Sequence, residues 1–472
     1  MAASAVVFLA GVLSERFLPE GSPFWLIFIL LVLLIIGWFA RQTLKHLCPD
    51  KNFLNLILIT FIVFPLGIIM TRARLIPIQS TFPKNWSGVL LYSPQPTRSG
   101  YAIGLSGDGK RPSILVFCRA RQLPESEIGD FVMISKMRSF SADRRNRLRG
   151  YGWVAFCNED AIRFQKSSGV SSPARFLKSL ANRLIGRWKA SFPAYEREFT
   201  FQSLSSLVFG SGPGLSPIDR EALSRSGLAH LFVPSGSQIS ILMAVAWLTT
   251  RYLGLSPWVV LTFLLGFYLL VAQREPSIFR AVLMGLYAFV GWQLFRDLDW
   301  HTSLWLSGAV MAAWDPSVVY DVGFQLSFAA TFGLLYATPF FRSLLSWLPD
   351  WIAYPVVGTL SAQLFISPLL LHYFGRVSLI APITNLICFL PASLSLSLGL
   401  LSAFVSLLSP FAALPFTYIA GQLAKFILDI AHQTSHWSFA SLQINPLTSA
   451  QAAVLLFAFV GLIAYLAKES AR

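Results

Sequence analysis

Apolar runs of roughly twenty residues recur along this chain, and a helix of that length crosses the ~30 Å hydrocarbon core of a bilayer. The clearest lie at 24–40 (FWLIFILLVLLIIGWFA), 53–70, 254–272, 278–296, 322–341, 351–371, 378–408 and 448–467. Shorter or interrupted runs lie at 5–13, 228–250 and 300–314. With 55% hydrophobic and only 12% charged residues over 472 positions, the chain is too apolar for a soluble domain. In lipid, only helices and closed barrels satisfy every backbone group. The pattern therefore predicts a polytopic α-helical membrane protein with about ten to twelve spans. The first run, AVVFLAGVL, has no basic stretch before it and no small-residue cleavage site, so it reads as a retained helix.

Charge is concentrated in one place. The formal balance is +15, and residues 72–190 hold 21 Lys or Arg against 7 Asp or Glu, an excess of 14. That segment opens with short strand-like runs separated by turns: SGVLLYS, GYAIGLSGDG, SILVFCRA, GDFVMISKM and YGWVAFC. Alternating β-branched and aromatic positions of this kind predict a small all-β barrel or sandwich inserted between membrane helices. Residues 172–205 read as amphipathic helix, basic at Arg175, Lys178, Arg183, Arg187 and Lys189. The short loop 41–51 carries Arg41, Lys45 and Lys51 against Asp50. Such loops stay in the cytoplasm, which places the basic β domain outside; Arg72 and Arg74 argue the other way. Of four cysteines, Cys48 and Cys388 read as packing residues within or beside spans. Cys118 and Cys157 each end a strand-like run, and in an extracytoplasmic domain they are expected to close a disulfide; the alternative is two buried thiols.

Two chemistries are missing from the pattern. No Gly-x-x-x-x-Gly-Lys-Ser/Thr loop marks an ATP-driven motor, and no cofactor signature is present. The six histidines (46, 230, 301, 372, 432 and 436) show no zinc-ligand spacing with each other or with cysteine, so no metal is expected. The chain is expected not to be an enzyme.

Polar islands interrupt the apolar half. LAHLFVPSGSQIS (228–240) offers His230, Ser235, Gly236 and Gln238, with a helix break at Pro234–Gly236. REPSIFRAVLMG (274–285) places Arg280 inside or at the edge of a span, DPSVVYDVGFQLSF (315–328) supplies Asp321 and Gln325, and LIAPITNLICFLP (379–391) supplies Asn385. Singly, each has a plain reading: a snorkelling arginine, a helix cap, a packed histidine or interhelical hydrogen-bond glue. Four in one bundle favour a polar pathway, because polar groups at membrane depth face a bundle interior or a wet cavity. Non-helical backbone is tolerated there only when it is buried in protein or lines water.

In pattern and order these islands resemble the ComEC family of competence membrane proteins. Gly227, Leu228, His230, Leu231, Ser235 and Gly236 fit the family's Gly-Leu-x-His-Leu segment and the Ser-Gly that follows it. Pro276, Arg280 and Met284 are similar to a second signature; Asp315, Pro316, Gly323, Phe324, Gln325, Leu326, Ser327 and Phe328 are similar to a third. Gln238 stands where members commonly have histidine, Pro234 where they have a small or β-branched residue, and Gly210–Ser211 where Gly-Asp or Gly-Glu is usual.

The resemblance implies a multi-pass channel of the bacterial inner membrane that imports single-stranded DNA, with an OB-like amino-terminal β domain. It implies four regions: transmembrane helices at 1–71, the extracytoplasmic OB-like domain at 72–170, amphipathic helices at 171–225 and a channel domain at 226–472. The polar residues His230, Ser235, Gly236, Gln238, Arg280, Asp321, Gln325 and Asn385 would then line the path. In the run SADRRNRLRGYGW, Arg144, Arg145, Arg147 and Arg149 would hold phosphates while Tyr151 and Trp153 stack bases. The alternative for that run is a solvated loop touching anionic lipid headgroups. A DNA receptor and a cytoplasmic ATPase or single-strand-binding protein would be the partners. Many members also carry a metallo-β-lactamase-like domain; no such segment is found in this sequence, which would leave strand degradation to a separate nuclease. The other readings are a transporter or channel for another anionic or small solute, and an envelope scaffold.

Overall fold

The computed structural model describes residues 85–89, 95–97, 100–105, 113–119, 131–141, 151–165, 173–193, 197–210, 215–233, 236–271 and 276–470, with isolated positions at 9, 67 and 71. The chain divides into two compact units, residues 1–179 with 305–321, and residues 180–304 with 322–472.

The first unit contains a small two-sheet β structure. Its strands are β1 (Trp86–Val89), β2 (Gln95–Thr97), β3 (Gly100–Leu105), β4 (Ser113–Arg119), β5 (Phe131–Ile134), β6 (Arg138–Ser141), β7 (Tyr151–Asn158) and β8 (Ile162–Gln165). One sheet runs β2-β3-β4-β7-β6 and the other β1-β5-β8. All pairings are antiparallel except β4 with β7. Side chains alternate across a strand, and Ile103, Leu105, Ile114, Val116 and Cys118 accordingly turn inward. They share one core with Trp86, Val132 and Ile134 of the smaller sheet.

The second unit is helical. It receives the end of α1 (Pro173–Ala190) and contains α2 (Arg197–Phe209), α3 (Pro217–Ser226), α4 (Gly236–Leu253), α5 (Pro257–Val271) and α6 (Pro276–Gln293). Helix α7 (Trp300–Trp314) passes into the first unit at residue 305, and the 3-10 turn Pro316–Tyr320 belongs to that unit; the second unit resumes with α8 (Val322–Leu344), α9 (Asp350–Phe374), β9 (Arg376–Ser378), α10 (Ala381–Leu408), α11 (Pro410–Ser435), β10 (Ser441–Gln443) and α12 (Ser449–Ser470). By length and composition, α8, α9, α10 and α11 can each cross a membrane; Pro257–Leu269 and Ser449–Ile463 are shorter apolar helices. The run at 24–40, and the run at 53–70 apart from position 67, lie outside the described residues.

Lipid tails are as apolar as leucine, so membrane helices gain little by hiding leucine from them and pack instead through small residues. Helices α10 and α11 meet along Ala392, Ser395, Ala403, Ala413, Ala420 and Ala424, all buried, with the Ser395 hydroxyl donating to the Ala420 carbonyl at 2.8 Å. Helix α2 wedges against both: a Cβ on Gly399 would come within 2.6 Å of Val208, and one on Gly421 within 2.2 Å of Thr200. Trp188, near the end of α1, is fully buried among Phe192, Phe201 and Phe209, all edge-on at 5.3–5.6 Å. Its indole N–H donates to Ser402 at 2.8 Å, so the one polar atom of that side chain is satisfied.

Candidate functional site

Helix α3 is built to stop. Ser216 caps its start, Pro217 occupies the first turn and Asp219 completes a capping box. Gly227 ends it in the left-handed conformation at φ 81°. A Cβ on Gly227 would also lie 2.5 Å from Ala381 and 2.9 Å from the Ser378 hydroxyl, so glycine is required twice over. The helix end is tied down again by Thr384, whose hydroxyl donates to the Ser226 carbonyl at 2.7 Å. This clamp holds the end of α3 against the corner between β9 and α10.

At that corner Val377, Ser378, Ile380 and Ala381 are buried while Leu379 is exposed. After α9 ends at Gly375 (φ 64°), the chain turns back alongside the helix it has just left. Strand β9 pairs with β10 in register Arg376 to Gln443, and the Ser378 carbonyl accepts a hydrogen bond from Gln363. Gln363 stands eleven residues before Phe374 on α9, roughly 16 Å down the helix at about 1.5 Å per residue. Extended backbone therefore reaches the middle of a membrane-length helix, and α10 starts from that depth. A polar pair accompanies it, with Arg376 bonded to Glu221 of α3 at 2.5 Å.

Parts of the sequence islands meet in pairs: Gly227 lies against Ala381, Gly236 beside Ala281, and Arg280 against Ser327. Gly236 begins α4, half-buried, with space for a Cβ only 3.9 Å from Ala281, next to Arg280 on α6. Gly285, one turn on, faces Ile239 and Met243, so α4 and α6 run side by side in the same direction. Arg280 is half-buried and reaches α8: Nε donates to the Ser327 hydroxyl at 2.8 Å and Nη1 to the Thr331 hydroxyl at 2.6 Å, with the Met284 sulfur at 3.4 Å. Among the described residues no carboxylate pairs with it. Gln325 accepts from the Tyr373 hydroxyl at 2.7 Å, linking α8 to α9. Asn385 donates to Thr359 at 3.2 Å. Its side-chain oxygen is buried with no hydrogen-bond partner among the described residues, as is that of Gln363.

The remaining candidates are placed differently. His230 is exposed on the 3-10 turn, its Nδ1 3.0 Å from the Gly227 carbonyl. Gln238 is buried and donates to the Leu207 carbonyl at the end of α2, so its amide stitches two helices together. Asp321 belongs to the first unit, where its N–H closes the 3-10 turn onto Val318 at 2.9 Å. Ser235 and the run Arg144, Arg145, Arg147 and Arg149 lie outside the described residues. Tyr151 and Trp153 lie on β7. Cys118 and Cys157 are register partners on β4 and β7, buried and present as thiols. Burial, reinforced by the neighbouring Cys118, pushes the Cys157 thiol up to about 12.

The β structure also presents a face that the sequence reading passed over. Phe117 of β4 and Phe156 of β7 stack with ring centroids 5.6 Å apart, and Phe156 is 53% exposed. Exposed Arg138 on β6 is the register partner of Phe156, and exposed Arg119 lies two residues beyond Phe117 on the same face. Strand alternation alone contained this signal, since Val116 and Cys118 point inward and their neighbours must point out. Within the helical unit, the signal passed over was the Ser327–Thr331 pair, spaced to share one face of α8.

Similarity to known proteins agrees with this arrangement. A family model described as "Competence protein" matches residues 207–469, which hold the clamp, the β9–β10 corner and the Arg280 cluster. ComE operon protein 3 of Bacillus subtilis (strain 168) is 29% identical over 188 residues, covering 37% of this chain and 23% of that relative. The chain thus matches less than a quarter of that protein's length. No solved structure matches the chain. With the family match running through more than half of its residues, this membrane protein belongs to the competence protein family.

Proposed function

We propose that this protein is an inner-membrane channel for the import of single-stranded DNA, with the basic β structure capturing the strand and the polar islands lining its path. The observation that carries this reading is family membership across the segment where non-helical backbone reaches mid-bundle depth. Such backbone is tolerated in a bilayer only if it is buried in protein or borders water. Capture is supported by the Phe117–Phe156 stack with Arg119 and Arg138 on one face, the pairing of aromatic platform and cation that holds single strands without sequence preference. Arg144, Arg145, Arg147, Arg149, Tyr151 and Trp153 extend the same chemistry in sequence. We place these residues in an OB-like domain at 72–170, facing outward between membrane helices at 1–71, amphipathic helices at 171–225 and the channel domain at 226–472. The chain conducts rather than catalyses; a DNA receptor and a cytoplasmic ATPase or single-strand-binding protein complete the pathway.

Two measurements test this. A strain lacking the protein should fail to take up labelled DNA, and normal uptake would sink the channel reading. The full chain in nanodiscs should bind a single-stranded oligonucleotide, with Phe117→Ala/Phe156→Ala weakening binding by about 1–3 kcal/mol for each base unstacked. Arg119→Gln/Arg138→Gln should flatten the slope of log affinity against log salt by roughly 0.7 for each phosphate no longer neutralised. Unchanged affinity in both variants would remove this face from the reading.

A further inference from the structure

We infer that Arg280 is the point inside the membrane unit where the phosphodiester backbone of the passing strand is held, and this rests on the channel reading above. An arginine inside a membrane bundle is costly, and where one occurs it is normally paired with a carboxylate or with backbone carbonyls. Among the described residues Arg280 has neither. Its three hydrogen bonds go to two hydroxyls and a thioether, all neutral groups. Ser327 and Thr331 fix Nε and Nη1, so the guanidinium is oriented while its charge stays uncompensated and Nη2 makes no hydrogen bond among the described residues.

The surroundings favour a negative ligand. Arg280 is the fifth residue of α6, Ser327 and Thr331 lie in the first half of α8, and Gly236, the first residue of α4, packs beside Ala281. Residues of α6 and α8 thus meet at the guanidinium, with the start of α4 beside the next residue, Ala281. A planar guanidinium with two edges pinned matches the oxygens of a phosphodiester, and its fixed orientation would let successive phosphates pass one geometry.

The test uses the full chain in liposomes, with a fluorescent single-stranded oligonucleotide driven inward by a positive-inside potential. Its companion probes are the same sequence on an uncharged methylphosphonate backbone, and inorganic phosphate. Wild type should pass the charged strand better than the neutral one and should not pass inorganic phosphate. Arg280→Gln should lower passage of the charged strand by about tenfold or more and leave the neutral strand little changed, erasing the preference. Arg280→Lys should restore part of it, and Ser327→Ala/Thr331→Val, which keeps the charge but frees it, should fall between. This double variant also covers the case in which Arg280→Gln does not fold. Folded Arg280 or hydroxyl variants that keep the wild-type preference would overturn the inference and leave the channel reading standing. Arg280-dependent passage of inorganic phosphate would overturn the assignment to a strand. Wild type that moves no DNA would overturn both.

Discussion

Asp219 shows how one side chain can join two distant parts of the molecule. Its carboxylate caps α3 through Ser216 and also lies 2.8 Å from His432 of α11, 213 residues away. Burial raises its pKa, but the hydrogen bonds from Ser216 and His432 outweigh burial and hold the carboxyl below its usual range. A depressed carboxylate contributes stability above its unfolded value, about 3.9, and loses it as pH falls through the folded value. Hydrogen-exchange protection of residues 216–227, corrected for the pH dependence of the intrinsic rate, should therefore stay flat from neutral pH down to about 4 and fall below that. In Asp219→Asn, exchange should already be faster at neutral pH and the acid step should vanish; an unchanged acid step would show that another group holds α3. The capping box was legible in the sequence as Ser-Pro-x-Asp. The partner was not: His432 with His436 invited only a search for metal spacing, because no local pattern names a residue on another helix.

At the scale of elements, helix approach is set by positions without side chains. A Cβ on Gly333 of α8 would fall 2.2 Å from the Ser361 carbonyl of α9, a backbone atom that cannot step aside. Gly333→Ala should push the two helices apart at a cost of about 1–3 kcal/mol, seen as a lower Tm in detergent. Gly266→Ala on α5, with open space around it, should leave Tm unchanged or raise it. Equal Tm shifts in the two variants would mean that helix propensity, not steric fit, governs both sites. The long apolar helices α8 to α11 were readable from run length alone. Strand β9 was not: only its last residue, Ser378, falls in the apolar run at 378–408, and three residues are too few for a strand pattern to show. The interruption between the 3-10 turn ending at Phe232 and α4 beginning at Gly236 was expected because proline and glycine act locally, whereas the turn back at Gly375 depends on Gln363 and β10 to hold it.

For the whole molecule, the open matter is which side of the membrane the basic β structure faces, and the two thiols report on it. Cys118 and Cys157 sit side by side in the register of β4 and β7, and Cys157 keeps its proton far above neutral pH. A buried, protonated thiol is inert to alkylation. An oxidising compartment would join the pair, while a reducing one would leave both as thiols. If the domain faces outward, protein alkylated in intact cells before digestion should yield a linked peptide pair lighter by two hydrogens. Unlinked peptides, reactive only after unfolding, would place the domain on the cytoplasmic side.

The sequence by itself determined that this chain enters a membrane as helices, because a run of apolar residues about twenty long has no other stable home. It also determined that a basic all-β segment interrupts those helices, and that polar residues cluster in four islands. Family resemblance was carried by those same islands. Only the tertiary structure decided that Gln238 is stitched to Leu207 while Arg280 meets Ser327 and Thr331 without a carboxylate among the described residues. Only there does the stretch after α3 become a clamped turn beside strand backbone at mid-bundle depth. The physical reason is range. Hydropathy and helix breaking act within a few residues of the chain, whereas pairing of a buried polar group depends on which distant helix is packed against it.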